Sequence, residues 1–206
     1  TESERDAIEA QDEVRAELAD LAELLDRGED AWVVSRRIQQ MAEDLAGLQE
    51  RTSELAEETM GRDRSELTPE ERRELDEITR EQGELADDAD DLVEELEERG
   101  ASLDQIDPGQ AAGLREAARE AREQGLEEQM REAEESTREN RLQQAGEAQQ
   151  QAAAALERMQ ETIEESRKAQ VAELQRRIAS LVDSLKGLIE TSENEIIALA
   201  RIEGPD

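Results

Sequence analysis

The residues best suited to bind a ligand are nine carboxylates within residues 84–98, a stretch that holds no basic residue. Carboxylate oxygens are the ligands that Ca²⁺ takes, and a dense negative cluster also attracts basic proteins. A calcium loop needs a sharp turn that contains glycine, whereas this acidic run keeps a helical register without one, so its side chains diverge. The pattern favours a solvated helix face, with a calcium site or a site for a basic partner as the alternative.

Histidine and cysteine are both absent from the chain. Their absence excludes zinc sites of the ordinary type, haem and iron–sulfur ligation by these residues, and Ser–His or Cys–His catalytic pairs. Carboxylate-bridged di-metal bundles need a Glu-x-x-His pair on two helices, and the sequence contains no GxxxxGK[ST] phosphate loop. We therefore predict that the protein is not an enzyme, and we assign no catalytic, cofactor-binding or metal-binding residue.

A basic stretch over residues 167–187 contrasts with the acidic run. It holds five basic residues against two carboxylates, for a net charge of +3, and it includes Arg176 and Arg177. We hypothesise that this stretch packs near the acidic run, within one chain or between chains, so that charge sets the helix register. The alternative is a locally basic surface without a partner. Arg176 and Arg177 are candidate interaction residues on this ground.

Trp32 is the single tryptophan in a chain that lacks phenylalanine and tyrosine. It lies at the start of a predicted helix, beside two valines. A tryptophan there could anchor a partner protein, or it could staple the start of its helix onto a neighbouring helix. The second interpretation is favoured, and Trp32 remains a candidate interaction residue under the first.

The overall charge limits the classes of partner. The 206 residues carry 58 acidic and 25 basic side chains, a formal net charge of −33. Nucleic-acid binding needs a basic face, so we expect no nucleic-acid partner. A transmembrane helix needs about 20 consecutive apolar residues, so we expect no membrane insertion within this segment. The expected partner is a protein, either an unknown one or a second copy in a homo-oligomer.

Apolar residues recur at alternating spacings of three and four along most of the chain, which is the pattern of helices that meet along a narrow seam. The alternative for such an acidic chain is disorder. Against disorder, Thr68-Pro69-Glu70-Glu71 forms a capping box with proline at the first helical position, and Asp107-Pro108 repeats that start signal. Gly61, Gly100 and Asn140 mark predicted helix ends.

From residue 142 the pattern continues without proline until Pro205, which predicts one helix of about 60 residues. Leu181 belongs to its apolar seam and is a candidate interaction residue. The seam residues expected to carry helix association along the whole chain are Ile38, Leu45, Leu75, Leu85, Leu92, Leu156, Leu174, Ile178, Leu181 and Leu185.

The predicted fold is therefore all-α, with antiparallel helical hairpins followed by a long C-terminal helix. The hairpins cover residues 3–60 and 69–140, with a linker at 61–68, and the long helix covers 142–203. The predicted function is that of a structural or scaffolding coiled-coil segment that acts through helix–helix association, without catalysis. The alternative is an acidic binding module that captures a basic protein or mimics nucleic acid.

Five short stretches carry a resemblance: QERT (49–52), TMGRD (59–63), LTPEE (67–71), QMREA (129–133) and NRLQQA (140–145). Residues 35–160, which contain them, resemble the helical region of large uncharacterised coiled-coil proteins of planctomycete-type bacteria. The resemblance implies that the chain is a segment of something larger and favours a location in the cell envelope. It implies no activity and no functional residues.

Overall fold

The computed structural model describes residues 29–202 and, before them, residues 12, 14–16, 18 and 19. These residues are almost entirely helical and include no strand. From Glu29 onward the α-helices are α1 (Glu29–Glu58), α2 (Pro69–Ser102), α3 (Pro108–Glu123), α4 (Leu126–Arg138) and α5 (Leu142–Ile202), with a short 3-10 helix at Arg64–Glu66. The predicted all-α fold with a long last helix is confirmed.

The chain divides into two compact units. The first comprises residues 29–167, and the second combines residues 1–28 with 168–206. The first half of the predicted hairpin at 3–60 lies almost wholly outside the described residues. The predicted linker at 61–68 falls inside the first unit, where it forms the turn that joins α1 to α2.

Residues 29–167 form an antiparallel bundle whose direction can be read from its ion pairs. Arg51, late in α1, lies 2.8 Å from Glu74, early in α2. Arg37, early in α1, lies 2.5 Å from Glu95, late in α2. The two helices therefore run in opposite directions, as short connections between helices of similar length require.

The third leg of this bundle consists of α3 and α4, and the fourth is the first part of α5. Arg122 of α3 pairs with Glu97, late in α2, whereas Arg131 of α4 lies 2.7 Å from the earlier residue Asp87, so the third leg runs antiparallel to α2. Gln149 of α5 donates to Thr52, late in α1, and Gln160 donates a hydrogen bond of 2.7 Å to Ser35, near the start of α1, so α5 runs antiparallel to α1. The result is an up-down-up-down bundle, in which each seam faces the common interior.

The predicted seams form the core of the bundle. Their residues in α1, α2, α3–α4 and the first part of α5 are all buried, and many have no exposed surface. The 4-and-3 spacing therefore identified the inward face of every leg. The buried seam residues are Val34, Ile38, Met41, Leu45, Leu48, Thr52, Leu55, Leu75, Ile78, Gln82, Leu85, Ala89, Leu92, Leu96, Leu114, Ala118, Ala121, Met130, Ala145, Ala152, Leu156, Met159 and Ile163.

Polar side chains from three legs meet in one layer of this core. Gln149 of α5 uses its amide nitrogen to donate to Gln82 Oε1 of α2 at 2.9 Å and to Thr52 Oγ1 of α1 at 3.1 Å. The Gln82 amide lies 3.5 Å from the sulfur of Met130 on α4. Each of these four residues is at most 1% exposed, and together they represent all four legs. We call this set the polar layer, and it ties the legs in one register, because a shift by a turn would leave buried polar groups without partners.

The ends of the helices follow local sequence signals. The Thr68 side chain accepts from the Glu71 backbone amide, and Glu71 in turn accepts from the Thr68 amide, so the predicted capping box is confirmed. Asn140 has a φ of +59°, which confirms the predicted turn before α5. Its side-chain amide donates to the carbonyl oxygen of Arg62, so the α4–α5 turn is fastened to the turn that follows α1.

The predicted helix boundaries are wrong at two glycines. One helix was expected between residues 108 and 140, but Gly125, at a φ of +67°, separates α3 from α4. Gly100 was expected to end α2, whereas the helix continues to Ser102. A Cβ on Gly100 would lie 2.8 Å from Arg115 Cγ, so this glycine permits a close approach between α2 and α3.

Gly113 provides a test of the packing between α3 and α5. A Cβ at this position would lie 2.5 Å from Ser166 Cβ, whereas a Cβ at Gly146 would meet nothing within 4 Å. We expect Gly113→Ala to lower the free energy of unfolding by about 1–2 kcal/mol, because overpacking outweighs the gain in helix propensity. The matched variant Gly146→Ala should raise it by up to about 1 kcal/mol. Urea unfolding followed by circular dichroism measures both, and equal effects of the two variants would contradict this packing.

The polar layer provides a second test. Gln149→Leu leaves Gln82 Oε1 buried without its donor and should lower the free energy of unfolding by about 1–3 kcal/mol. The double variant Gln82→Leu/Gln149→Leu should recover part of this loss, because neither amide is then left without its partner. Gln150→Leu, at an exposed neighbouring position, is the control. Losses that simply add in the double variant would show that the two amides do not interact.

Candidate interaction surfaces

The acidic run lies on α2, and arginines from other helices pair with part of it. Arg131 of α4 contacts Asp87 at 2.7 Å and Asp90 at 2.6 Å. Arg37 of α1 lies 2.5 Å from Glu95. Arg122 of α3 is hydrogen bonded to Glu97. These pairs are partly exposed, so each is weak alone, but together they favour one arrangement of the legs.

Other carboxylates of the acidic run face solvent. Asp91, Glu94 and Glu98 are exposed on the outer side of α2, while Leu92, Val93 and Leu96 beside them are buried. The predicted solvated face therefore occupies part of the run. Within the described residues, no group of three or more His, Cys, Asp or Glu side chains is placed to hold a metal ion.

Arg176 and Arg177 are engaged on their own helix. Arg176 lies 2.9 Å from Glu173 and Arg177 lies 3.3 Å from the same carboxylate. These pairs are local, because residues three and four positions apart on a helix are surface neighbours. Asp87, Asp90, Glu95 and Glu97 of the acidic run have arginine partners on α4, α1 and α3. The hypothesis that the basic stretch packs near the acidic run stays a prediction.

Trp32 is 58% exposed, and the guanidinium of Arg36 lies 5.7 Å from the centre of its ring. The two side chains line a shallow cleft of about 150 Å³ between α1 and α5, together with Ser35, Gln39, Gln160, Glu164 and Arg167. Trp32 therefore borders the neighbouring helix without being buried against it. More than half of its surface remains open to solvent, which retains it as a candidate contact residue.

A larger groove of about 660 Å³ lies at the end of the bundle where the α1–α2 and α4–α5 turns meet. Arg62 and Asn140 line it, and Met60 beside them is 70% exposed. Arg62 also makes two hydrogen bonds to the Glu71 carboxylate, at 2.6 and 3.0 Å. The polar groups that border the groove therefore already form hydrogen bonds at the helix ends.

Leu181 is buried in the second unit, at 5% exposure, in a small cluster with Val14, Leu174 and Leu188. The prediction that Leu181 is a seam residue agrees with this cluster. Ile178 and Leu185 were assigned to the same seam, but they are 44% and 37% exposed. The last part of α5 therefore carries two apolar faces side by side.

The second of these faces is an exposed apolar stripe. At 100° per residue, its side chains fall within about 60° of the helix circumference and follow a heptad repeat. Leu174, Leu181 and Leu188 lie along its edge. The exposed apolar stripe consists of Val171, Ile178, Val182, Leu185, Ile189 and Ile196, each between 37% and 65% exposed.

Comparisons with known proteins add no relatives. No family model matches the chain, and the searches of curated proteins and of solved structures give no match. In the described part of the chain, none of the helices is both long and apolar enough to cross a membrane. The interaction surfaces are therefore judged on their own geometry.

The Arg62–Glu71 pair gives this end of the bundle a pH dependence. Hydrogen bonds from the Arg62 guanidinium, and then from the Thr68 backbone, lower the pKa of Glu71 from 4.5 to about 2. A carboxylate whose pKa is lower in the folded state stabilises the fold above its unfolded pKa, and this contribution disappears as the pH falls through the folded pKa.

We therefore expect Glu71→Gln to lower the thermal midpoint at neutral pH. The difference from the wild type should shrink to nothing between pH 4.5 and about 2. Glu70→Gln, on the same helical turn, is the control and should change the midpoint much less. A Glu71→Gln difference that is the same at pH 7 and pH 2 would contradict the role of this ion pair.

Proposed function

We propose that this chain is a structural, scaffolding helical segment that acts through helix–helix association and performs no catalysis. The observation that carries the proposal is the exposed apolar stripe on α5. Single exposed apolar residues are ordinary on a protein surface, but six at heptad spacing on one face form the pattern that binds another helix.

The packing of the bundle supports this role. Its core, its polar layer and its Arg-centred ion pairs join all four legs of residues 29–167. Its groove and cleft are shallow and polar, and the exposed apolar residues that follow a heptad repeat lie further along α5. The resemblance to long coiled-coil proteins is in keeping with such a role and stays a prediction.

A second candidate is an acidic module that captures a basic protein. The exposed carboxylates Asp91, Glu94 and Glu98 favour it. The ion pairs made by Arg37, Arg122 and Arg131 weaken this candidate, because they already neutralise part of the acidic run. The two candidates differ in their response to salt, since contacts between exposed charges are screened and apolar contacts are not.

The test is the mass of the full chain by light scattering in about 50 mM and about 1 M NaCl, salt levels that span weak and strong screening. The mass of the wild type should exceed 23.1 kDa, the mass of one chain, at both salt concentrations. Ile189→Asp should return the mass to 23.1 kDa, because it places a charge in the associating face. Thr191→Asp lies on the opposite side of the same turn and should behave as the wild type.

Two results would contradict the proposed function. One is a single-chain mass for the wild type under all conditions. The other is an association that exists only at low salt and that Ile189→Asp leaves unchanged. Binding of a basic probe such as poly-lysine that disappears at high salt, together with the second result, would favour the acidic module.

A further inference from the structure

The exposed apolar stripe has an internal symmetry that points to its occupant. Val171 and Ile196 lie equally far from a point between Asp183 and Ser184, and so do Ile178 and Ile189, and Val182 and Leu185. Reading the stripe from its other end therefore gives the same spacing. A second copy that runs in the opposite direction can then place an apolar residue opposite every apolar residue.

We propose that the stripe binds the same stripe of a second copy of this chain, antiparallel and centred between residues 183 and 184. This inference rests on the proposed function and names its partner. Each helix contributes a seam from Val171 to Ile196, which is about 38 Å long at 1.5 Å per residue. The layers pair Val171 with the partner's Ile196, Ile178 with the partner's Ile189, and Val182 with the partner's Leu185.

The polar residues that interrupt the stripe fit this arrangement. Gln175 and Ser192 occupy the two heptad positions that lack an apolar side chain, and they too are equidistant from the centre. In the antiparallel pair they meet each other, so polar groups face polar groups. In a parallel pair, Gln175 would face the partner's Gln175 and Ser192 would face the partner's Ser192, in two separate layers.

Charge selects the antiparallel direction independently. On either side of the centre, residues 168–183 hold three basic residues and two carboxylates, whereas residues 184–199 hold three carboxylates and one lysine. An antiparallel partner sets the net positive half of one helix against the net negative half of the other, and a parallel partner would set like against like.

The charge of the whole chain predicts the salt response of this dimer. Two copies with a net charge of −33 each repel one another at long range. Added salt screens that repulsion while the apolar contact persists, so salt should leave the dimer intact or strengthen it. Capture of a basic protein by the acidic run would respond in the opposite sense.

The absence of cysteine makes the direction directly measurable in the full chain. Val171→Cys and Ile196→Cys variants are mixed, oxidised and resolved by mass, with one variant carrying a tag that shifts its mass. The antiparallel dimer should give the mixed disulfide and little product from either variant alone. Ile178→Cys mixed with Ile189→Cys repeats the test at a second layer, in case one substitution weakens the dimer.

Ser180→Cys mixed with Gly187→Cys is the matched control. These residues are also equidistant from the centre, but they lie on the exposed side of the helix opposite the stripe. They should give no disulfide, because the two helices lie between them.

Disulfides that form within each of the Val171→Cys and Ile196→Cys samples alone would show a parallel pair, which overturns this inference and leaves the proposed function standing. Cross-linking in the control as strong as at the stripe would show random collision and also overturn it. A wild type that remains a single chain by mass would overturn both the inference and the proposed function, since the stripe would then be covered within the chain or have no occupant.

Discussion

The hydrogen bonds that Gln149 makes to Gln82 and Thr52 are the constraint on which the rest of the bundle depends. A core made only of leucine, isoleucine and alanine can slide by a heptad at little cost, because one apolar layer resembles the next. A buried amide cannot slide without losing its partner. This layer sets the register of α1, α2 and α5. In that register the surface arginines lie beside their carboxylate partners on neighbouring helices.

In this register, part of the acidic charge on α2 is paired with arginines of other helices. The acidic run on α2 would repel itself along an isolated helix, but arginines on α1, α3 and α4 are brought against it by the packing of the core. Each pair is weak alone, and the set distinguishes the native neighbours of α2 from other helices. The carboxylates left on the outer face are exposed to solvent, and the apolar stripe on α5 carries the association that we propose.

The sequence predicted most of the fold, because the core seams repeat without interruption and the capping signals lie at true helix starts. It did not predict the break at Gly125, although a signal is present in the spacing. The buried residues Ala121 and Leu126 lie five positions apart, outside the alternation of three and four, and Gly125 between them adopts a positive φ. The exposed apolar stripe was also missed. Leu174 and Leu181 lie close to Ile178 and Leu185 around the helix, so two faces were interpreted as one seam, and exposure alone distinguishes them.

Residues 29–167 pack within one chain, whereas we propose that the stripe on α5 packs against another. Amide hydrogen exchange of the full chain at low and high protein concentration separates these two kinds of packing. We predict that backbone amides within residues 171–196 gain protection as the concentration rises, while those of the bundle core do not change. Protection that is independent of concentration throughout, or that rises first along the acidic run, would contradict the account.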